Sequence, residues 1–361
     1  MNKVLMVIMA AGAVVGGIDR IMGNKRGYGA KFEEGFQFLG STALSMAGMI
    51  CLAPVLAGVL GRVIVPFYRG LGVDPAMFGG VLAIDMGGYQ LAKELAADGR
   101  MGSYAGIVVS ALFGCTLVFT IPVGMGMIPK EDRRFFARGI MLGVSAMPAG
   151  LFAGGILSGL SISECLHQNL PVFAAVLLLV PGLWKMPDKM VRGFCMLADG
   201  IQVLITAGLV LAAVEYLTGW NPLPGMAPIE EAMEVVASIG VVMLGSLPAA
   251  EFLRRVLEKP FAYLGRKMGM CPQCLTGMLI GLVSPIPVFS MYRDMDEKGK
   301  TAAGAFLVSG TSLLAAHMGF VLAAEPEMLP ALTGGKICGA VAAVLLVSVF
   351  GGTFVEKPRF V

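Results

Sequence analysis

Charged side chains are scarce in this chain of 361 residues, and the scarcity excludes an ordinary soluble protein. Asp, Glu, Lys and Arg together make up 14% of the residues, whereas a soluble domain carries roughly 25%. Hydrophobic residues make up 57%, and the mean hydropathy is +0.80. Because so few charges cannot cover a water-facing surface, the composition predicts an integral membrane protein.

Several motifs are also missing. The 7 cysteines show no spacing of a disulfide framework, and the one C-x-x-C pair, Cys271 and Cys274, lacks the second pair or nearby histidine of a zinc site. There is no phosphate-binding glycine loop, His-Glu-x-x-His pair or Gly-x-Ser-x-Gly turn. Basic residues stand in short loops, so no nucleic-acid partner is predicted. We expect neither a cofactor nor a metal, and no soluble-enzyme chemistry.

What the chain does contain is a series of long apolar runs separated by glycine, proline and charged residues. An α-helix needs roughly 20 residues to cross a ~30 Å hydrocarbon core, and several runs reach that length. We therefore predict an all-α, polytopic membrane protein with a single transmembrane domain over residues 1–361 and about ten or eleven hydrophobic segments. The predicted segments are 3–22, 36–60, 76–97, 102–128, 136–160, 170–185, 193–217, 231–257, 273–292, 300–324 and 332–353.

An internal repeat relates segments one to five to segments seven to eleven. Pro54 and Pro66 have the same separation as Pro248 and Pro260, and both second prolines precede a phenylalanine. Internal symmetry of this kind is common in transporters. The predicted boundaries are a first repeat at 1–165, a linking segment at 166–192 and a second repeat at 193–361.

The charges of the loops predict how the two halves are oriented. Loops 130–138 and 254–267 are rich in Lys and Arg and should be cytoplasmic, whereas loops 220–228 and 325–330 lack both and should face outward. The cytoplasmic and outer assignments of these loops are compatible only if segment nine, interrupted by glycine and prolines, is broken or re-entrant and does not cross the membrane fully. A similarly broken segment three would make the halves inverted repeats. Arrangements with ten full crossings stay open.

Segment three carries the strongest candidate site. A carboxylate such as Asp85 inside a membrane segment costs about 2.5–3.5 kcal/mol, so it normally faces a partner, a cavity or an ion path. Tyr89 offers a ring face for a small ammonium, and Gln90 offers an amide for a hydroxyl. Alternatively, Asp85 pairs with Lys93 and has a structural role.

Five further residues are weaker candidates. Ser284 and Ser290, beside the prolines of segment nine, can bind a polar ligand or satisfy carbonyls that the prolines free. His317 can relay a proton near neutral pH or serve as a structural histidine. Glu34 and Glu94 are candidates for gating; alternatively, Glu34 stabilises a helix N-terminus and Glu94 pairs with a neighbouring basic residue.

At these positions the chain resembles the ethanolamine permease family, the membrane component encoded with bacterial ethanolamine-utilisation systems. The resemblance implies facilitated uptake of ethanolamine through the bacterial cytoplasmic membrane, to supply ethanolamine ammonia-lyase. We hypothesise that ethanolamine crosses as its ammonium form, paired with Asp85, and that Gln90 or Ser284 binds its hydroxyl. The blocks that carry the resemblance are Ile18-Asp19-Arg20, Phe32-Glu33-Glu34-Gly35-Phe36, Ala53-Pro54-Val55-Leu56, Asp85-Met86-Gly87-Gly88, Leu91-Ala92-Lys93-Glu94, Ile128 to Arg134, Glu258-Lys259-Pro260, Ile286-Pro287-Val288-Phe289 and His317-Met318-Gly319-Phe320.

Two departures from the family pattern bear on the substrate. This chain has Ser284-Pro285 where the family has an amide-bearing pair, and Ala316 where an acidic residue precedes the histidine. Both changes remove polarity from the second repeat, so a related small amine is an alternative substrate. Transport of another cation or amino acid, a non-transporting scaffold or receptor, and a membrane-embedded enzyme are the other functions considered.

Overall fold

The computed structural model describes residues 2–82 and 88–350. Every regular element in that part of the chain is helical. The α-helices of the first half are α1 (Asn2–Ile21), α2 (Tyr28–Gly70), α3 (Ala76–Val81), α4 (Gly88–Leu95), α5 (Gly99–Ser103), α6 (Ile121–Met127) and α7 (Arg133–Leu157). The α-helices that follow are α8 (Ile162–Gln168), α9 (Leu170–Lys185), α10 (Pro187–Thr218), α11 (Ile229–Met268), α12 (Pro272–Gly281), α13 (Pro285–Ser290), α14 (Glu297–Gly310), α15 (Met318–Ala324) and α16 (Leu329–Phe350).

Wider helical turns join some of these helices into longer rods. Two π-helical stretches, Tyr104–Gly114 and Thr116–Thr120, connect α5 to α6, and a third, Leu313–His317, connects the region after α14 to α15. Short 3-10 turns occur at Tyr292–Asp294 and Pro326–Met328. The π-helical stretches matter for function because π-bulges in helices are frequent at functional sites.

The helices confirm a polytopic, all-α membrane protein. Within the described residues, seven helical rods are long and apolar enough to cross a bilayer, and α8 with α9, bent by 55°, makes an eighth candidate. Together with α1 and two pairs of short helices, these rods match the eleven predicted segments in order. The seven rods are Tyr28–Gly70, Gly99–Met127, Arg133–Leu157, Pro187–Thr218, Ile229–Phe261, Glu297–Ala324 and Pro326–Phe350.

The first pair of short helices, α3 and α4, forms a hairpin whose two ends lie together. The carboxylate of Asp74, just before α3, accepts hydrogen bonds from the backbone N–H groups of Ala97 (3.2 Å) and Asp98 (3.0 Å), just after α4. Between them, Gly79 of α3 approaches Ala92 of α4 so closely that a Cβ atom would collide with the Ala92 backbone. Segment three therefore enters and leaves on one side, as a re-entrant hairpin.

The second pair, α12 and α13, has the same form at the other end of the bundle. The Cys274 thiol, near the start of α12, donates to the Gly299 carbonyl in α14 (3.3 Å), beyond the end of α13. The tip of this hairpin is bound to the interrupted helix beside it. There, the N–H of Ser312 donates to the Gly281 carbonyl (2.9 Å), and the N–H of Leu314 donates to the Leu282 carbonyl (2.8 Å).

Ion pairs identify the two ends of the bundle. At one end, Lys300 contacts Asp132 at 2.6 Å, and the basic loop 130–138 predicts, by the positive-inside rule, that this end is cytoplasmic. At the other end, taken as the outer one, the Lys93 ammonium lies 3.6 Å from the Glu325 carboxylate. The α3–α4 hairpin opens toward the outer end and the α12–α13 hairpin toward the cytoplasmic end.

Helices α2 and α11 are much longer than their predicted segments, 36–60 and 231–257. They contain 43 and 40 residues, and each continues through two prolines. At about 1.5 Å per residue each exceeds the ~30 Å hydrocarbon core by a wide margin. A sequence prediction ends such a helix near its prolines because each proline removes one N–H donor, but neighbouring helices can tolerate the loss.

Candidate functional site

A cavity of about 310 Å³ lies between α2, α4, α11 and α15 near the outer end. Its walls combine aromatic rings with polar and charged groups, which is the composition of a site for a small polar ligand. The side chains that matter chemically are Tyr89, Gln90, Lys93, Glu234, Ser238 and Phe320. Two of the residues predicted from the sequence, Tyr89 and Gln90, are thus brought together in one cavity.

Tyr89 is held rigidly in the cavity wall. Its ring packs edge-on against Phe320 with ring centroids 5.3 Å apart, and its hydroxyl donates a hydrogen bond to Glu325 (3.2 Å). Tyr89 also packs closely against Gly106 of the first π-helical stretch. A Cβ atom at Gly106 would collide with the Tyr89 backbone and ring. A tyrosine fixed in this way presents a ring whose negative face attracts a cation.

A charged cluster lies around Glu325. Its carboxylate accepts from the Ser103 hydroxyl (2.7 Å) and stands 3.6 Å from the Lys93 ammonium. Lys93 in turn donates to Ser103 (3.2 Å) and lies 5.7 Å from the centre of the Tyr89 ring. The cluster ties α4 of the outer hairpin to the beginning of the α5 rod and to the end of α15.

The balance of charge at this cavity favours a cation. The lining has one base, Lys93, and one acid, the exposed Glu234 of α11, while Glu325, which is not among the lining residues, lies 3.6 Å from the Lys93 ammonium. Because Glu325 compensates Lys93, the Glu234 carboxylate is left to attract a cation. Uncharged hydrogen-bonding groups of Gln90 and Ser238 complete the walls. The arrangement suits a small molecule with one positive charge and one hydroxyl.

A larger cavity, of about 690 Å³, lies between α1, α11 and the Leu313–His317 stretch. The side chains lining it are apolar except for Tyr28 and Ser246, and no charged residue is among them. An amine substrate would find no counter-charge there. We therefore place the candidate site in the smaller, polar cavity.

The sequence also predicts a substrate-binding role for Asp85, Ser284 and Ser290. Asp85 lies in the segment 83–87, outside the described residues, and its role stays a prediction. Ser284 caps the start of α13 at the tip of the cytoplasmic hairpin, without a side-chain capping bond. Ser290 is exposed at the other end of α13 and donates to the Ile286 carbonyl of its own helix (3.4 Å). Neither serine is among the residues that line the polar cavity.

Three further predicted residues are spread over the molecule. His317 is fully buried at the end of the Leu313–His317 stretch. Glu34 is exposed near the cytoplasmic end and pairs with Lys31 at 2.5 Å. Glu94 is exposed on α4 and is not among the residues that line the polar cavity. Their proposed parts in gating or proton relay stay predictions.

Sequence reasoning missed Glu325, Glu234 and Lys336. Glu325 was assigned to an outer loop, and nothing local indicates contact with Tyr89, 236 positions away. Lys336 is completely buried in α16, yet a predicted segment beginning at 332 placed it in a helix end. The signal that was available is the Leu-Pro at 329–330: proline is favoured in a first helical turn, so the helix begins there and the lysine lies two turns inside.

Comparison with known proteins gives a consistent picture. Residues 1–350 match the family described as ethanolamine utilisation protein, EutH. A protein of Listeria monocytogenes named probable ethanolamine permease EutH is 40% identical over 344 residues, covering 95% of this chain and 92% of its own. Its namesake in Escherichia coli K12 is 38% identical, covering 95% and 94%. The uncharacterized protein YxeR of Bacillus subtilis is 36% identical, covering 95% and 93%. No solved structure matches.

Proposed function

Because the chain belongs to the EutH family of ethanolamine utilisation proteins, we propose that it is a permease that carries ethanolamine across the bacterial cytoplasmic membrane into the cell. The relatives from Listeria and Escherichia coli carry the name of such a permease. The observation that carries the proposal is the polar cavity beside the outer hairpin. It supplies negative charge, a rigid aromatic ring and an amide at the outer end of a membrane-spanning bundle.

The cavity fits ethanolamine in size and chemistry. Its volume of about 310 Å³ holds a molecule of four non-hydrogen atoms together with several waters of roughly 30 Å³ each. The ammonium group is drawn to the rim by Glu234 and meets the face of Tyr89, while Gln90 binds the hydroxyl. Asp85 stays the carboxylate that the sequence predicts to bind the ammonium, with Ser284 as a second candidate partner for the hydroxyl.

Transport is proposed to be facilitated passage along the concentration gradient. The sequence has no nucleotide-binding loop that could power a pump. Re-entrant hairpins that open toward opposite ends suit alternating access, because paired interrupted helices form the central site in inverted-repeat transporters. The repeat boundaries, 1–165 and 193–361, are part of this proposal, as is the absence of catalytic activity.

Uptake of labelled ethanolamine into proteoliposomes tests the proposal. We expect Gln90→Leu to reduce uptake about five-fold, since a lost hydrogen bond to an uncharged group is worth about 0.5–1.5 kcal/mol. Gln202→Leu, the same change at an exposed glutamine of α10, is the matched control and should leave uptake unchanged. Correctly inserted wild-type protein that gives no flux under any gradient would instead indicate a scaffold or receptor.

Competition distinguishes ethanolamine from related amines. Ethylamine has the same ammonium group without the hydroxyl, so it should compete about five-fold more weakly if Gln90 binds the hydroxyl. Equal competition by ethylamine would mean that the protein selects small alkylammonium ions in general. The Ser284-Pro285 departure from the family pattern makes that comparison informative.

A further inference from the structure

Lys336 is a fully buried lysine inside a membrane-spanning helix, and the proposed path of ethanolamine does not use it. A lysine at the centre of a membrane helix costs about 2.5–3.5 kcal/mol on insertion scales, so such residues are rare and normally functional. The cost has to be offset by the groups that surround the ammonium. In this protein those groups include backbone carbonyls freed by irregular helix geometry.

Three carbonyl oxygens surround the Lys336 ammonium. It donates to Ala111 (3.1 Å) in the first π-helical stretch, and to Ser309 (3.1 Å) and Thr311 (2.9 Å) where the α14–α15 rod is interrupted. The interruption is sharp, because Ser312 adopts a left-handed conformation with φ 55°. The ammonium therefore joins the irregular stretches of both halves of the molecule.

Three hydroxyls close to these carbonyls along the chain are also buried. The side-chain hydroxyls of Ser110, Ser309 and Thr311 are buried, and none has a hydrogen-bond partner within the described part of the chain. Each belongs to a residue whose carbonyl accepts from Lys336 or to the neighbour of such a residue. Unwound backbone carbonyls at interrupted helices are the ligands with which transporters of inverted-repeat architecture bind Na⁺, and carbonyl rings replace the hydration shell of K⁺ in channels.

We propose that the Lys336 ammonium is a built-in cation, occupying at this helix break the position that an inorganic monovalent ion takes in ion-coupled transporters. The fixed charge holds the interrupted rod and the π-helical stretch together without a bound ion. Substrate movement is consequently independent of Na⁺ and K⁺. The statement about substrate movement rests on the proposed permease function, whereas the cation site itself does not.

Thermal unfolding of the purified protein in detergent tests the site directly. The melting temperature is measured in equal concentrations of sodium, potassium, ammonium, methylammonium and N-methylglucamine chlorides. For the wild type and for Lys189→Ala, an exposed lysine of α10, we expect the same value in every salt. For Lys336→Ala we expect a lower value in N-methylglucamine, restored by at least one small cation by about 2–4 °C relative to the bulky one.

Equal melting temperatures of Lys336→Ala in all five salts would overturn the proposal. A second experiment uses only the wild-type protein, so it tests the proposal even if Lys336→Ala does not fold. Wild-type ethanolamine uptake into proteoliposomes should change less than two-fold when external Na⁺ or K⁺ is replaced by N-methylglucamine, and a larger loss would overturn the proposal. Absence of flux in every salt would count against the permease function alone, because the unfolding result stands without it.

Discussion

The two re-entrant hairpins each consist of two short helices, but their side chains differ in polarity. In the outer hairpin, α4 presents Tyr89, Gln90 and Lys93 to a cavity, and its partner groups are charged. In the cytoplasmic hairpin, α13 buries Val288 and Phe289, and Phe289 packs edge-on against Phe136 at 5.6 Å. The difference teaches that a repeated backbone does not imply a repeated site. On the proposed function, substrate selection would belong to the outer hairpin, whereas α13 of the cytoplasmic hairpin is mainly apolar.

The largest effect should come from the outer hairpin's predicted carboxylate. Asp85→Asn should lower ethanolamine uptake about 30-fold or more, because a charged group that loses its buried partner costs about 2–5 kcal/mol. Uptake into proteoliposomes is the measurement, with membrane insertion checked separately. Asp294→Asn, an exposed acid just after the cytoplasmic hairpin, is the control and should transport normally. Normal uptake by the Asp85→Asn variant would remove the carboxylate from the binding mechanism.

An intermediate effect, on stability, should come from the carboxylates that hold the ends of the two hairpins. The Asp74 carboxylate accepts from the N–H groups of Ala76, Ala97 and Asp98, and Asp74→Ala leaves these donors unsatisfied at about 1–3 kcal/mol for a buried one. Asp296, before α14 at the cytoplasmic hairpin, accepts from the N–H of Gly299, and its loss costs about 1 kcal/mol.

Thermal unfolding should therefore show a larger drop in melting temperature for Asp74→Ala than for Asp296→Ala, by about 2–4 °C for each kcal/mol of difference. Equal drops would mean that the two anchors are energetically equivalent. The outer hairpin would then not owe its position to the Asp74 carboxylate.

The smallest effects should come from predicted residues that the structure leaves on the surface. Ser290→Ala and Glu34→Gln should change the stability by no more than about 0.5 kcal/mol, as for most surface substitutions, and uptake less than about two-fold. Ser290 bonds only weakly to its own helix, and Glu34 pairs with the neighbouring Lys31. A marked loss of uptake in Ser290→Ala would show that the cytoplasmic hairpin also takes part in selection.

The order of the segments and the two interrupted ones were predictable from the sequence, because prolines, glycines and loop charges mark them directly. The cavity was predictable only in part. Tyr89 and Gln90 stood out through their position in an apolar run, whereas Glu325 joins them only through folding. Lys336 was missed because the predicted start of its helix was three residues too late. The lysine therefore stood near an apparent helix end and not two turns inside the helix.

The long helices α2 and α11 tie each hairpin to the rest of the bundle. Gly35 of α2 lies against Met243 of α11, while farther along the same helix Gly61 lies near Leu95 at the end of the outer hairpin. One continuous rod therefore touches both the opposite long helix and a hairpin, with Pro54 between the two contacts. Any tilt of the hairpin has to flex this rod, and the flexure can concentrate at a residue that contributes no N–H to the helix ladder. Pro54 is therefore the place in α2 at which bending breaks few hydrogen bonds.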